Sequence, residues 1–318
     1  MMSTGRLASG AFGAASCLAV WLSPAGASAE KDDAFGLCRK PPPPEAGAES
    51  RFLDVPGGDI FGFTDPSDIG RPGECGFALE FTGRAGKRHG RYVASATKYE
   101  FGATVTESSA LAFSAFTSSH HVHNVPDLDN RSSLAFDGLS VAAQYQFLKR
   151  NERDRVAMTA EVEPRWARAA PSGGGRIQAY AVELKLLADM PLGERWSAAG
   201  NLNYAPAWEK GRGAARFSRF SGTNVSAAIA WAPDGADSRF VFGAESRLLA
   251  AFEGLALNRR IAHAWFMGPA VMVNIVEGVA LNAAWTPQVR GDGRGVRGRR
   301  DLDNFERQQF RVKLAVGL

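Results

Sequence analysis

The feature that most constrains this chain is a rhythm of two. From Gly76 to Leu318, apolar and polar residues alternate in stretches that recur about every 20 residues, broken by clusters of Gly, Pro, Asp and Arg. A period of two puts successive side chains on opposite faces of an extended strand. In Arg155–Trp166 one face reads Val156, Met158, Ala160, Val162, Pro164 and Trp166, and the other Arg155, Ala157, Thr159, Glu161, Glu163 and Arg165. In Ala179–Asp189 one face holds Tyr180, Val182, Leu184 and Leu186, against Ala179, Ala181, Glu183, Lys185 and Asp189. Trp196–Trp208 and the last stretch, Phe310 to Leu318, repeat the pattern. Twelve such strands are expected, starting near residues 77, 92, 110, 138, 155, 178, 195, 222, 239, 263, 279 and 304.

The connections alternate too. Short ones are expected at Val105–Ser109, Lys149–Asp154, Pro191–Arg195, Pro233–Ser238 and Val276–Gly278. Longer ones are expected at Thr117–Ser133, Ala169–Arg176, Trp208–Ser221, Glu253–Ala262 and Pro287–Asp303. An even number of strands, with short turns at one end and longer loops at the other, predicts an all-β chain. Its fold class is a transmembrane antiparallel up-and-down β-barrel of about 12 strands, with short periplasmic turns and longer extracellular loops. In hydrocarbon every backbone N–H and C=O must pair within the sheet, and closure leaves no edge. The competing fold is a soluble sandwich or lipocalin-like barrel. Three features argue against it. The polar faces carry charges that a packed soluble core would not hold unpaired. Trp166, Trp196, Tyr204, Trp208, Trp231 and Trp285 sit at strand ends, where interfacial girdles form. Strands of roughly 10–13 residues suit a tilted membrane crossing.

Ahead of the alternation lie two other textures. Residues 1–29 read as a signal peptide: Arg6, then an apolar stretch from Leu7 to Leu22, then an A-x-A site at Ala27-Ser28-Ala29. Residues 30–74 read as a Pro/Gly-rich periplasmic segment, with Pro41-Pro42-Pro43-Pro44 as an extended spacer. The barrel is expected over 75–318. Cleavage would leave Cys38 and Cys75. Export favours a disulfide between them, with two free thiols as the alternative. A bond would close a loop contributing about 3–4 kcal/mol in the chain-entropy view.

Several stretches resemble a family of uncharacterised outer-membrane β-barrel proteins, mainly alphaproteobacterial, described as porin-like or transporter proteins. They are Phe61-Gly62-Phe63-Thr64-Asp65 with Asp68-Ile69-Gly70; Glu80-Phe81-Thr82-Gly83-Arg84 with Gly86-Lys87-Arg88; Asn124-Val125-Pro126 with Asp129; Phe136 to Val141; Val182 to Asp189; and Asp303-Asn304-Phe305-Glu306-Arg307. Together they span about residues 59–318. The resemblance implies the barrel and an outer-membrane location in a Gram-negative bacterium, and is nearly silent on substrate. The chain departs from the usual aromatic ending of such barrels, closing on Val316-Gly317-Leu318.

If the apolar face meets lipid, the polar face lines the lumen. The expected lining is Glu80, Arg84, Lys98, Glu100, Glu161, Glu163, Arg165, Glu183, Lys185, Glu245, Arg247, Arg311 and Lys313. Mixed signs on adjacent strands suit cross-strand ion pairs. Such a lumen is read as a narrow pore passing small polar solutes, with a closed, charge-filled structural barrel as the alternative and, behind it, a barrel enzyme or receptor using the extracellular loops. Twelve strands fall between the filled eight-stranded case and the open channels of 16–18. No enzyme is expected, and no cofactor. His120, His121 and His123, with Asp127 and Asp129, are expected in the loop after the third strand. His121 and His123 are weak metal candidates there, and a polar surface loop is the plainer reading. Arg290, Arg294, Arg297, Arg299 and Arg300 make the last loop basic, fit for lipopolysaccharide phosphates or for gathering anions. The expected partners are outer-membrane lipid and lipopolysaccharide, small solutes and, during insertion, the barrel-assembly machinery. With 37 basic and 33 acidic residues, charge alone does not point to nucleic acid.

Overall fold

A computed structural model describes residue 38 and residues 60–150, 155–296 and 298–318. The expected signal peptide and the four-proline spacer lie outside the described residues. Within them, twelve antiparallel strands close into a barrel: β1 (Cys75–Ala85), β2 (Arg91–Thr106), β3 (Ser109–His123), β4 (Arg131–Leu148), β5 (Ala157–Ala169), β6 (Arg176–Pro191), β7 (Trp196–Gly211), β8 (Ser218–Trp231), β9 (Phe240–Glu253), β10 (Arg260–Val276), β11 (Val279–Gly293) and β12 (Gln308–Gly317). Each pairs with its sequence neighbours, and β1 meets β12 from Gly76↔Gly317 to Ala85↔Gln308. A short 3-10 turn at Gly235–Asp237 separates β8 from β9.

The two ends of the barrel differ. One end carries the start of β1, the end of β12 and tight turns at residues 107–108 and 277–278. We call it the terminal end. The loop end carries the β11–β12 connection, residues 294–307. Strands run further toward the loop end than alternation alone indicates. β3 reaches His123 and β4 starts at Arg131, so His120, His121 and His123 lie on a strand and not in the loop expected there.

Side chains obey the period of two. On β5, Ala157, Thr159, Glu161 and Glu163 are buried while Val162 and Pro164 are exposed. On β6, Leu184 is 41% exposed, whereas the Lys185 side chain keeps 11%. Every strand shows the surroundings at least one large apolar residue, such as Phe81, Phe101, Phe113, Leu202, Phe242 and Trp285. An apolar belt around the whole barrel far exceeds the patch a water-soluble monomer exposes. Aromatic rings cluster near both ends of it. Trp196, Trp231 and Phe242 form one group with centroids 6.2–6.4 Å apart. Tyr180–Phe217 and Phe136–Trp166 lie toward the loop end.

Bulges re-aim particular side chains. Thr117 pairs with Phe136 and Phe116 with Gly138, which leaves Asp137 as the extra residue. It turns inward to the Arg165 guanidinium at 2.6 Å. Glycine is required beside it: a methyl group at Gly138 would sit 1.9 Å from the Trp166 carbonyl oxygen. At the start of β1, Cys75 is joined to Cys38 by a disulfide with a Cα–Cα distance of 5.5 Å. Sequence left that pairing open against two free thiols.

Candidate functional site

The interior is shaped by a segment that belongs to no strand. Residues 60–70 lie inside the barrel and hydrogen-bond to seven of its strands. The expected division set 30–74 apart as a periplasmic segment; residues 60–70 of it instead occupy the lumen. The reason is a set of lumenal acceptors and donors aimed at the segment's backbone. The Glu245 carboxylate accepts from the backbone N–H of Gly62 at 2.5 Å and of Phe63 at 2.8 Å. Asn282 Nδ2 donates to the Ile60 carbonyl at 2.9 Å, and Arg311 to that of Gly62 at 2.6 Å. Asp189 accepts from both the N–H and the hydroxyl of Ser67, each at 2.6 Å. Gln146 and the Thr159 hydroxyl donate to the Ser67 carbonyl, and Thr104 to that of Ile69. Unpaired backbone groups buried in a lumen would each cost about 1–3 kcal/mol, so these anchors are what let irregular chain sit there.

Apolar packing completes the seat. Ile60 and Phe61 are buried with Ala199, Ala228, Ala230, Val241 and Met272. The Arg247 guanidinium lies 3.6 Å from the Phe63 ring centroid. Gly62 is pressed so close to β11 that an added methyl would meet the Ala284 Cβ at 2.2 Å.

On the other side of the lumen, charges hold each other. Lys185 Nζ lies 2.8 Å from Glu161, 3.6 Å from Glu163, 3.9 Å from Glu183 and 3.7 Å from Asp65 of the inserted segment. Lys98 pairs with Glu100 at 2.5 Å. Arg311 pairs with Glu80 and reaches Asp65 at 3.8 Å. Gln144, Ser140 and Ser114 donate to Glu161, Glu163 and Glu100. Asp65 lies outside the strands. Burial pushes its carboxyl up, but Lys185, Arg311, Lys313 and Lys98 outweigh that and hold it down at about 2. A cavity of about 230 Å³ remains between the segment and this wall, lined by Glu80, Lys98, Glu100, Lys185, Arg311 and Lys313 among others.

The loop end is capped by the last loop. Gln288 donates to the carbonyls of Asp301 and Glu306 at 3.0 and 3.3 Å. Lys87 donates to the Asn304 carbonyl at 3.0 Å, and Phe305 meets Phe266 edge-on at 6.5 Å. Asp301, Leu302 and Glu306 are buried.

Of the expected lining residues, Glu80, Lys98, Glu100, Glu161, Glu163, Glu183, Lys185 and Arg311 gather into paired clusters inside the barrel. Lys313 lines the cavity beside them. Arg84 and Arg165 stand apart toward the loop end, beside Glu306 at 3.9 Å and Asp137 at 2.6 Å. Glu245 and Arg247 hold the inserted segment. His121 shares hydrogen bonds with Ser132 at 3.0 Å and Ser119 at 3.5 Å, and His123 with Asn124 at 3.3 Å. Among the described residues no group of three His, Cys, Asp or Glu could hold a metal ion. Sequence reasoning missed Asp65, Asp137, Asp189, Asn282 and Gln288 as lumenal anchors. The signal that points to the segment is the run of small residues on the inner faces of β8–β11, which leave space that something must fill.

A closed, twelve-stranded antiparallel barrel with an occupied lumen defines the class as outer-membrane-type β-barrels. The COG4313 outer membrane channel from Pseudomonas putida F1 shares the fold at a TM-score of 0.55 and 12% identity, over 80% of this chain and 100% of that one. The NanC porin is similar at a TM-score of 0.46 and 11% identity, over 76% of this chain and 100% of that one. The KdgM porin in complex with disordered oligogalacturonate is similar at a TM-score of 0.43 and 10% identity, over 77% of this chain and 99% of that one. No curated protein matches the chain. Residues 54–318 match the family of unknown function DUF6662, and the chain belongs to that family.

Proposed function

We propose that the protein is an outer-membrane channel of a Gram-negative bacterium, constricted by its own residues 60–70, that passes small polar solutes. The apolar belt faces hydrocarbon, the terminal end faces the periplasm and the loop end faces outward. The observation that carries the reading is the charged cavity between the inserted segment and the β1–β6 wall. A wall of paired Lys and Glu admits water and small polar molecules and offers no single-sign trap. The inserted segment sets the bore.

Planar-bilayer recording tests this. Wild-type protein is expected to give small conductance steps, and Glu245→Ala larger ones, because the segment loses its main anchor. Lys185→Ala is expected to change ion preference. Silence from heat-modifiable, folded wild type and Glu245→Ala alike would overturn the channel. It would favour the second reading, a closed structural barrel, which the capped loop end supports.

A further inference from the structure

The outer surface of β5–β8 at the loop end carries an unusual pairing of rings and cations. Register aligns Trp166 with Tyr180, Tyr180 with Trp208, and Trp208 with Arg219. These four side chains form one lateral row on the face that also presents Leu184, Leu202 and Val225. Nearer the loop end stand Arg168, whose guanidinium lies 5.9 Å from the Trp166 ring centroid, and Lys210, 5.9 Å from that of Phe217. Arg176, Arg212 and Arg216 are exposed beyond them. Among the described residues none of these six cations pairs with a carboxylate. Away from this face, Arg88 pairs with Asp303 at 2.8 Å.

A groove adjoins the row. The Tyr204 hydroxyl donates to the Leu255 carbonyl at 2.6 Å and Ser221 to that of Gly254 at 2.8 Å, which drapes residues 254–259 over β7 and β8. Phe217, Arg219, Leu255, Ala256 and Arg259 line the groove together with Glu253, whose carboxylate is taken up by Arg259 at 2.9 Å. Aromatic rings sit at the boundary of hydrocarbon and headgroup, so unpaired guanidinium groups directly above them stand at headgroup height. Forked donors there match phosphate monoesters, while the rings and Leu255 offer apolar surface for acyl chains.

We propose that this face of β5–β8 is a binding site for a phosphorylated, multiply acylated glycolipid of the outer leaflet, that is, the lipid A part of lipopolysaccharide. The site rests on the membrane orientation given above and not on conduction. A barrel that passes no current would still bind the lipid, and loss of the lipid would leave the conductance test intact.

The test is a titration of the full-length barrel in neutral detergent with diphosphoryl lipid A, read by native mass spectrometry. Wild type is expected to retain one lipid saturably. Arg168→Gln, Lys210→Gln and Arg219→Gln combined are expected to weaken binding by roughly 100-fold or more, since each charged hydrogen bond lost is worth about a factor of ten. Arg299→Gln and Arg300→Gln combined, on another part of the rim, are expected to stay within about threefold of wild type. If the triple variant loses heat-modifiability, Arg219→Gln alone replaces it, with about a tenfold loss expected. Wild-type affinity in the β5–β8 variant would overturn the proposal. So would an equal loss in the control variant, or equal binding of dephosphorylated lipid A or of phosphatidylglycerol. Competition by millimolar inorganic phosphate alone, with no acylated ligand retained, would reduce the site to a simple anion site and overturn it too.

Discussion

The two sides of the lumen face the same axis and obey the same alternation, yet they are built in opposite ways. On β8–β11 the inward residues are mostly small: Ala228, Ala230, Gly243, Ala270, Ala280 and Ala284. They fill little of the interior, and residues 60–63 occupy the space they leave. On β1, β2, β5 and β6 the inward residues include long charged ones, which satisfy each other within a strand, as Lys98 and Glu100 do, or across strands, as Lys185 does with Glu161 and Glu80 with Arg311 of β12. The first side is closed by a piece of chain held by side-chain anchors and not by the sheet. The second is closed only by ion pairs, and a cavity remains beside them. The difference teaches that a barrel wall of small inward residues is a seat, whereas a wall of paired charges is a lining.

The comparison breaks most strongly at Glu245. Glu245→Ala removes the acceptor of two backbone N–H groups on the seated side. Hydrogen bonds to a charged group contribute about 1.5–3 kcal/mol each, so the segment is expected to undock, with larger conductance and faster hydrogen exchange at residues 62 and 63. The charged side is expected to keep its pairs. The mirror experiment is Lys185→Met, which leaves Glu161 and Glu163 without their nearest cation. Breaking a buried pair in this way costs about 3–5 kcal/mol. The barrel is expected to melt earlier in heat-modifiability assays and to become more cation-preferring, while the Glu245 anchor stays. A smaller contrast uses one methyl group on each side. Gly62→Ala would collide with Ala284, an overpacking cost of about 1–3 kcal/mol. Ala284→Gly is expected to rescue it. Gly102→Ala on β2 meets nothing closer than 3.8 Å and is expected to leave conductance and melting near wild type.

What could be read from sequence followed the solvent. Where one face meets an apolar belt and the other the lumen, as in Val162/Glu163 or Leu184/Lys185, hydropathy alternates and the facing is legible. Toward the loop end both faces are polar, so the alternation fades while the hydrogen-bonded ladder continues. That is why β4 starts at Arg131 and not near residue 138, and why His120–His123 belong to β3. Small inner-face residues on β8–β11 hint that something fills the lumen, but which residues do so was not legible, for a different reason. The inserted segment's order comes from side chains far along the chain, Glu245 being 183 residues from Gly62, and no local period records such a partner. The pairing of inner-face charges could be anticipated only strand by strand. Lys185 serves Glu161 and Glu163 on the neighbouring strand as expected of cross-strand pairs, but its fourth partner, Asp65, lies on the segment.

Asp65 is where the two sides meet, and it supplies the subtlest test. Residues 60–63 are anchored on the seated side and residues 67–69 on β2, β4, β5 and β6, and between them this carboxylate reaches Lys185 and Arg311 on the charged side. Its pKa is held at about 2, below the ordinary 3.8, because those cations outweigh burial. A carboxyl depressed in the docked state contributes stability that is fully present above its ordinary pKa and is lost as pH falls through the docked value. Docking is therefore expected to be constant from neutral pH to about 4 and to weaken progressively as pH falls toward about 2. Other carboxylates also titrate there, so wild type alone does not isolate the effect. Asp65→Asn does. It is expected to show more frequent openings than wild type near neutral pH, and the gap between the two proteins is expected to close as pH falls from about 4 to about 2. If the gap in open probability stays constant across that window, the link between the two sides does not run through Asp65, and the segment is held by its other anchors, Glu245 and Asp189 among them.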